Sequence, residues 1–358
     1  MTEIFYSCCG VGRGHASRVI TMAEHLSRRG HNLTVFTSSE AYHFLMSQIG
    51  YEVTVKEIPA PVFGYDSKKR VSLLRTSLAN MHLIPNYRTI LRSLSDEVKN
   101  RRPDLVIVDF EPFVCRAARM HHVPVISLDH QHAFVFGDFR DLPFDLRKFC
   151  VFTGIFVEQY VEKNVSVVAS FFQPRLKRAV NWFGGLVNED VLGTETLRGD
   201  HVTVYLREGI EGKLLRILKE IKETFRIYNY THKDVVKSEN FEYKKINRTE
   251  FVKDLATCKA VICTAGHQLL TEALCLQKPV FAIPLPGQEE QAVNGYFLEK
   301  MGYGRTERIE RLTYSQIRDF LRELNSFNRS DHAAFCGNKQ TFRFIDGFLE
   351  TSPVPLQA

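Results

Sequence analysis

Apolar positions recur along this chain with two alternating periods, and the alternation predicts its architecture. Ile4–Cys9 is a short apolar run that reads as a buried strand. Ala16, Val19, Ile20, Ala23 and Leu26 then follow at the i, i+3, i+4 spacing of one helix face, closed by Gly30. His31–Phe36 predicts a second strand, Tyr42–Gly50 a second helix and Tyr51–Ile58 a third strand. Pro103–Glu111, Val123–His132 and Ser166–Phe171 continue the series as strands. Such a β-α-β rhythm predicts a parallel sheet with helices on both faces. Gly184–Gly199 is Gly-rich and polar and reads as a linker. The pattern then restarts, with strands over His201–Leu206, Phe225–Tyr230, Ala260–Cys263 and Val280–Ile283. Helices are expected over Gly212–Glu223, Asn247–Leu255, Thr313–Leu324 and Asn338–Leu349. At 358 residues the chain is long enough for two cores. The expected division is 1–184, 185–336, and a C-terminal helix and tail over 337–358 packing back on the first domain.

Polar residues that interrupt this pattern mark the candidate chemistry. In the second half, Thr264-Ala-Gly-His-Gln-Leu-Leu-Thr-Glu272 follows the Ala260–Cys263 strand. Gly266 permits a sharp turn, and a helix beginning near His267 leaves its first N–H groups and its positive dipole end facing outward. That is an anion site suited to a diphosphate. Leu269, Leu270, Ala273, Leu274 and Leu276 share one side of this helix, and Glu272 sits at the edge of that apolar arc. A loop rich in Gln and Glu is expected after the next strand, carrying Gln288, Glu289 and Gln291. Anion site, stranded carboxylate and amide-rich loop together suggest a nucleotide-sugar pocket.

The first half offers a different set. Gly10-Val-Gly-Arg-Gly-His15 has histidine where a dinucleotide fingerprint has its third glycine, and the chain contains no G-x-x-x-x-G-K. Two later strands end in polar groups, Asp109 with Glu111, and Asp129 with His130 and His132. In doubly wound folds the strand C-terminal ends share one crevice. Asp109, His130 and His132 are therefore expected near Gly12, Gly14 and His15. An imidazole suits removal of a proton from an attacking hydroxyl, and a carboxylate on its other nitrogen orients it. Asp109 is the expected partner of His15, with Glu111 a competitor. His130 and His132 have the spacing of a zinc pair but lack a convincing third ligand, so no metal is expected.

Composition narrows the classes. The chain is 44% hydrophobic and 25% charged, ordinary for an α/β protein. Its formal charge of +6 is too mild and dispersed to indicate nucleic acid, but it suits an anionic substrate or an anionic membrane surface. The basic stretch over 68–92 reads either as a solvated helix face or as a membrane-surface patch. Eight cysteines without any C-x-x-C pair read as buried free thiols. Phe149–Phe172 is apolar but broken by Glu158, Glu162 and Lys163, so it is not a span. With no apolar leader before the first strand, the expected location is cytoplasmic, with peripheral contact at the inner face of the membrane.

These motifs resemble the GT-B glycosyltransferases, in the neighbourhood of the MurG-like lipid-intermediate transferases and the UDP-glucuronosyltransferases. The resemblance covers most of the chain in element order and concentrates in Gly10–Arg18, Asp104–Glu111, Ser127–His132 and Thr264–Gly304. It implies two Rossmann-like domains facing each other across a cleft, the first binding the acceptor and the second the donor. It also implies that Gly266, His267 and Gln268 receive the donor diphosphate, with help from Arg207. Glu272 would hold the ribose hydroxyls, and Gln288, Glu289 and Gln291 would read the sugar. Gly12, Gly14, His130 and His132 would line the acceptor side, and His15 with Asp109 would form the catalytic pair. Asp138-Phe-Arg-Asp141 does not match the D-x-D metal motif of the other major glycosyltransferase fold, so metal-independent chemistry is expected. The implied reaction is transfer of a sugar from a UDP-linked donor to a hydroxyl acceptor, lipid-linked or in the cell envelope, with inversion. A UDP-sugar 2-epimerase and a non-catalytic nucleotide-sugar-binding protein are the alternatives.

Overall fold

The structure is a computed structural model that describes residues 2–50, 52–62, 64, 73–207, 209–229, 238–328 and 334–351. Of the sequence expectations, residues 68–72 of the basic stretch, Tyr51, Tyr230 and residues 352–358 of the C-terminal tail lie outside the described residues. The chain forms two compact units, one running to Asn188 and regaining the chain from Cys336, the other starting at Glu189 and ending at Phe335.

The first unit is built on β1 (Glu3–Cys8), β2 (Asn32–Thr37), β3 (Val53–Glu57), β4 (Leu105–Asp109), β5 (Val125–Asp129), β6 (Val165–Ala169) and β7 (Asn181–Phe183). They form one sheet in the order β3-β2-β1-β4-β5-β6-β7. Every pairing is parallel. β4 and β5 are buried along their whole length, which is why they read as unbroken apolar runs. Alternate residues feed opposite faces. Ile4, Tyr6 and Ile107 meet Ala16, Val19, Ala23 and Leu26 of the Arg13–Arg28 helix. Phe5, Val106 and Val108 meet Ile90, Leu94 and Val98 of the Leu83–Arg101 helix.

The last helix, Asn338–Thr351, belongs to this unit. It inserts Ile345 into the first-face core, with Phe342 and Phe348 packed alongside. Its attachment is also polar. Asn338 Oδ1 accepts from Val187 N at 2.9 Å, its Nδ2 donates to Val187 O at 2.7 Å, and His25 lies 2.9 Å from Asp346.

The second unit is built on β8 (His201–Tyr205), β9 (Thr224–Tyr228), β10 (Phe241–Tyr243), β11 (Ala260–Cys263), β12 (Val280–Ala282) and β13 (Gly304–Thr306). Their order is β10-β9-β8-β11-β12-β13, again with every pairing parallel. Both sheets therefore reverse direction of strand addition once, between β1 and β4 and between β8 and β11. Loops leaving the strand ends at such a reversal open a crevice. This placement positions both candidate sites.

Two sequence expectations change. The segment read as the linker contains the short helix Glu189–Leu192, so only part of it is irregular. The stretch expected to be a Gln- and Glu-rich loop is mostly the helix Glu289–Lys300. Ala292, Val293, Phe297 and Leu298 give that helix a buried side, and Glu289 and Glu290 suit the positive end of its dipole. All eight cysteines are free, and six of them are buried. Among the described residues no helix is long and apolar enough to cross a membrane.

Candidate active site

At the reversal in the first sheet, Cys8 pairs with Asp109 across β1 and β4. Cys9 N donates to the Asp109 carbonyl at 2.9 Å, holding the two strand ends together. The chain then turns through Gly12 at φ 78, a left-handed value that favours glycine. The Arg13–Arg28 helix starts immediately afterwards, with Gly14 and His15 in its first turn.

This geometry places His15 Nδ1 2.8 Å from Asp109 Oδ1. Arg18, one helical turn on, grips the same carboxylate through Nε to Oδ2 at 2.8 Å and Nη2 to Oδ1 at 2.9 Å. Asp109 is wholly buried, Arg18 nearly so, and His15 keeps 13% of its side chain exposed. Burial alone would raise the Asp109 carboxyl, but Arg18 and His15 outweigh it and hold the group at about 2. Burial likewise pulls Arg18 down, and Asp109 more than reverses that.

Arg18 Nη2 also lies 2.9 Å from His15 Nδ1, so guanidinium and carboxylate compete for one ring nitrogen. Arg18 already spends its fork on Asp109, and an ionised carboxylate is the stronger partner for an N–H. The favoured tautomer therefore carries its proton on Nδ1, donates it to Asp109, and leaves Nε2 as a lone pair. Phe110 follows at φ 57, an unusual value for a bulky residue. Its ring lies near parallel to that of His15, with centroids 6.5 Å apart.

Glu111, the competing partner, is occupied elsewhere. It caps the Pro112–Met120 helix, accepting from Phe113 N at 2.7 Å and Val114 N at 2.8 Å. The histidine cluster is interior. His132 Nδ1 sits 2.7 Å from Asp129, and His130 meets the edges of Phe134 and Phe172 at 5.9 and 5.5 Å. Both imidazoles are 0% exposed, so they present no surface to an acceptor, unlike the partly exposed Gly12 and Gly14. The spacing that suggested them, polar groups at a strand end, also fits a buried second His–Asp pair.

At the reversal in the second sheet, the His267–Cys275 helix begins after Gly266. Its N-cap makes no side-chain hydrogen bond. Gly266 sits at φ −68, ψ 129, so the turn does not require glycine, contrary to the expectation from sequence. A Cβ built there would meet nothing within 4 Å. The absent side chain instead leaves open space in front of the helix N-terminus. His267 is buried, and its carbonyl accepts from the Thr271 hydroxyl at 2.9 Å.

Glu272 is 2% exposed and held by three donors. Arg248 Nη1 reaches Oε2 and Nη2 reaches Oε1, each at 3.1 Å, and Gln268 Nε2 reaches Oε1 at 3.2 Å. Arg248 starts its own helix after the Asn247 cap and also grips Asp190 at 2.8 and 3.1 Å. A carboxylate oxygen holding one or two such bonds retains lone-pair capacity, so Glu272 is oriented without being exhausted.

The Glu289–Lys300 helix brings the third group. Gln288 is its N-cap residue, and its Oε1 accepts from Gln291 Nε2 at 3.2 Å. Gln291 Oε1 accepts from Leu285 N at 3.0 Å, and Glu289 pairs with Arg308 at 2.7 Å. Asn294 Nδ2 donates to Ala265 O at 3.0 Å and so ties this helix to the Gly266 turn. Arg207, half-buried, stands two residues beyond the end of β8.

Residues 2–325 match the family described as Glycosyl transferase family 1. The chain belongs to that family. It is 24% identical over 335 residues to an uncharacterised glycosyltransferase of Methanosarcina mazei, covering 85% of each chain. It is 28% identical over 177 residues to a Staphylococcus saprophyticus UDP-N-acetylglucosamine–N-acetylmuramyl-(pentapeptide) pyrophosphoryl-undecaprenol N-acetylglucosamine transferase. That match spans 43% of this chain and 49% of the relative. In structure it resembles Acinetobacter baumannii MurG, with a TM-score of 0.65 at 14% identity over 97% of this chain and 100% of that one. It also resembles the glycosyltransferase VinC in complex with dTDP, with a TM-score of 0.63 at 13% identity over 98% and 100% of the two chains. The fold is GT-B.

Arg18 and Arg248 are the functional candidates that the sequence reading missed. Arg18 had a signal, because it lies three residues after His15 and shares its helix face. Arg248 had none that pointed to Glu272, which is 24 residues away.

Proposed function

We propose that this glycosyltransferase moves a sugar from a UDP-linked donor to a hydroxyl acceptor by direct displacement with inversion. The observation that carries the reading is the His15–Asp109 contact at 2.8 Å, which leaves Nε2 as a base. In the proposed step Nε2 takes the hydroxyl proton as the acceptor oxygen attacks the anomeric carbon. The bond from that carbon to the diphosphate oxygen breaks, and the electron pair leaves with the nucleoside diphosphate. Buried, ionised Asp109 stabilises the imidazolium that forms, and Arg18 keeps the carboxylate in place.

The leaving charge would be met by the first N–H groups of the His267–Cys275 helix, with Arg207 alongside, rather than by a metal ion. The open space in front of Gly266 supports this, since backbone there can approach a phosphate closely. Glu272, oriented by Arg248, would accept from the ribose hydroxyls. Gln288, Glu289 and Gln291 would face the sugar. The staphylococcal relative's use of UDP-N-acetylglucosamine supports a UDP-linked donor, and its pyrophosphoryl-undecaprenol substrate supports a lipid-linked acceptor. Exposed Arg88 and Arg92 beside exposed Met81 and Ile84 support peripheral contact with an anionic membrane from the cytoplasmic side.

The test is a panel of UDP- and dTDP-sugars incubated with and without hydroxyl acceptors, including polyprenyl-phosphate-linked sugars. Release of nucleoside diphosphate that requires both substrates is expected. Conversion of donor without acceptor would instead indicate an epimerase, and binding without turnover a non-catalytic protein.

A further inference from the structure

The Phe144–Tyr160 helix shows an apolar face that its own unit leaves uncovered. Its inner side is seated by Leu146, Cys150, Gly154 and Val157. Gly154 allows close packing there, because a Cβ would lie 2.5 Å from the Phe134 carbonyl. On the outer side Phe144, Val151, Phe152, Ile155 and Phe156 are between 51% and 66% exposed. Their spacing, at i, i+7, i+8, i+11 and i+12, places them on one side of the helix along about 18 Å, with Lys148 at i+4 between Phe144 and the other four. Scattered exposed apolar residues are ordinary, but a cluster such as Val151, Phe152, Ile155 and Phe156 marks a binding surface.

The stripe does not end in solvent. Phe156 packs on Tyr160 at 4.8 Å and on Phe110 at 6.3 Å. Phe110 in turn stacks on His15 at 6.5 Å, held there in a left-handed conformation that a phenylalanine rarely adopts. A continuous line of rings therefore leads from an exposed apolar track to the candidate base.

We infer that this stripe, with Phe110 at its inner end, is the platform for the hydrocarbon chain of the acceptor, whose hydroxyl is delivered to His15. A compact sugar acceptor would use only the Phe110 end. The remaining length calls for an extended apolar chain lying along the helix; beside it the Arg147 guanidinium stands 5.4 Å from the Phe144 ring centroid and the Lys148 ammonium 5.9 Å from that of Phe152. The inference rests on the transferase reading and names the acceptor class for that same site.

The experiment titrates the full-length protein with hexyl, octyl and decyl β-D-glucoside, each below its critical micelle concentration, by calorimetry. Burying a methylene completely is worth roughly fourfold in affinity. An open face covers about half of each, so decyl glucoside is expected to bind roughly fifteenfold tighter than hexyl glucoside. The double variant Phe152→Glu, Ile155→Glu changes only exposed positions and is expected to lose this chain-length dependence. Met46→Glu, an equally exposed apolar site on another helix, is expected to keep it.

Affinity independent of chain length in the wild type would overturn the proposal. So would a double variant that keeps the wild-type dependence, or one whose only change is from dimer to monomer, which would make the stripe a contact between copies. A UDP thermal shift on the same proteins separates the two levels. Loss of the UDP response in the wild type defeats the transferase reading, whereas the chain-length series alone decides the platform.

Discussion

Replacing His15 with Gln is expected to lower kcat by about a hundred- to ten-thousand-fold, the range for loss of a positioned general base. UDP affinity should not change. His15 lies in the first unit at the β1–β4 reversal, whereas the residues assigned to the donor all belong to the second unit. Initial rates at saturating donor, set beside calorimetric UDP binding, check both halves of the expectation. Parallel loss of UDP affinity would move His15 from base to phosphate contact. Because the side chain is partly exposed and glutamine is similar in length, folding should be little affected.

Asp109→Ala is expected to act chiefly on stability. It would leave Arg18 buried without its carboxylate, and breaking a buried pair from one side costs about 3–5 kcal/mol. The effect should depend on pH in a defined direction. The Asp109 carboxyl is held at about 2 in the folded chain, against an ordinary value of 3.8. The folded state therefore binds fewer protons than the unfolded state in that window, and stability rises with pH across it. The contribution is fully present above about pH 4 and is lost as pH falls toward 2. Urea unfolding at neutral pH should show a large gap between wild type and variant, and the gap should narrow below pH 4. A gap that stayed constant into acid would show that Asp109 is not an ionised partner of Arg18.

The two parallel sheets were readable because their central strands are buried on both faces and so appear as unbroken apolar runs. Asp109 was readable as a site candidate because it ends such a run, and His15 because it follows a glycine turn at the end of another. The short strands β7, β10 and β13 carry three residues each and lack the wholly buried apolar run that made the equally short β12 readable. The Glu289–Lys300 helix was hidden by its own start, where Gln and Glu read as loop but serve as cap and first turn. The roles of His130, Glu111 and Gly266 were obscured for a further reason. A polar residue at a strand end can be a ligand contact, a helix cap or an interior pair, and only the fold separates these. Glu111 is a cap, His130 lies in the interior, and Gly266 adopts a backbone conformation open to any residue. The outward stripe over Phe144–Phe156 was legible only as general apolarity, because burial is a property of the neighbours rather than of the residues themselves.

The central claim is that a nucleoside diphosphate rests against the N-terminus of the His267–Cys275 helix, and Gly266→Ala tests it most directly. Alanine suits φ −68, ψ 129 and meets no atom within 4 Å. By narrowing the unfolded ensemble it should leave stability unchanged or raise it by about 0.4–1 kcal/mol. Its methyl group would nevertheless occupy the space proposed for the diphosphate. Calorimetric titration with UDP is therefore predicted to show binding to the wild type and at least a tenfold loss in Gly266→Ala, with thermal stability retained. Equal UDP affinity in the two proteins, or no UDP binding to either, would contradict the account.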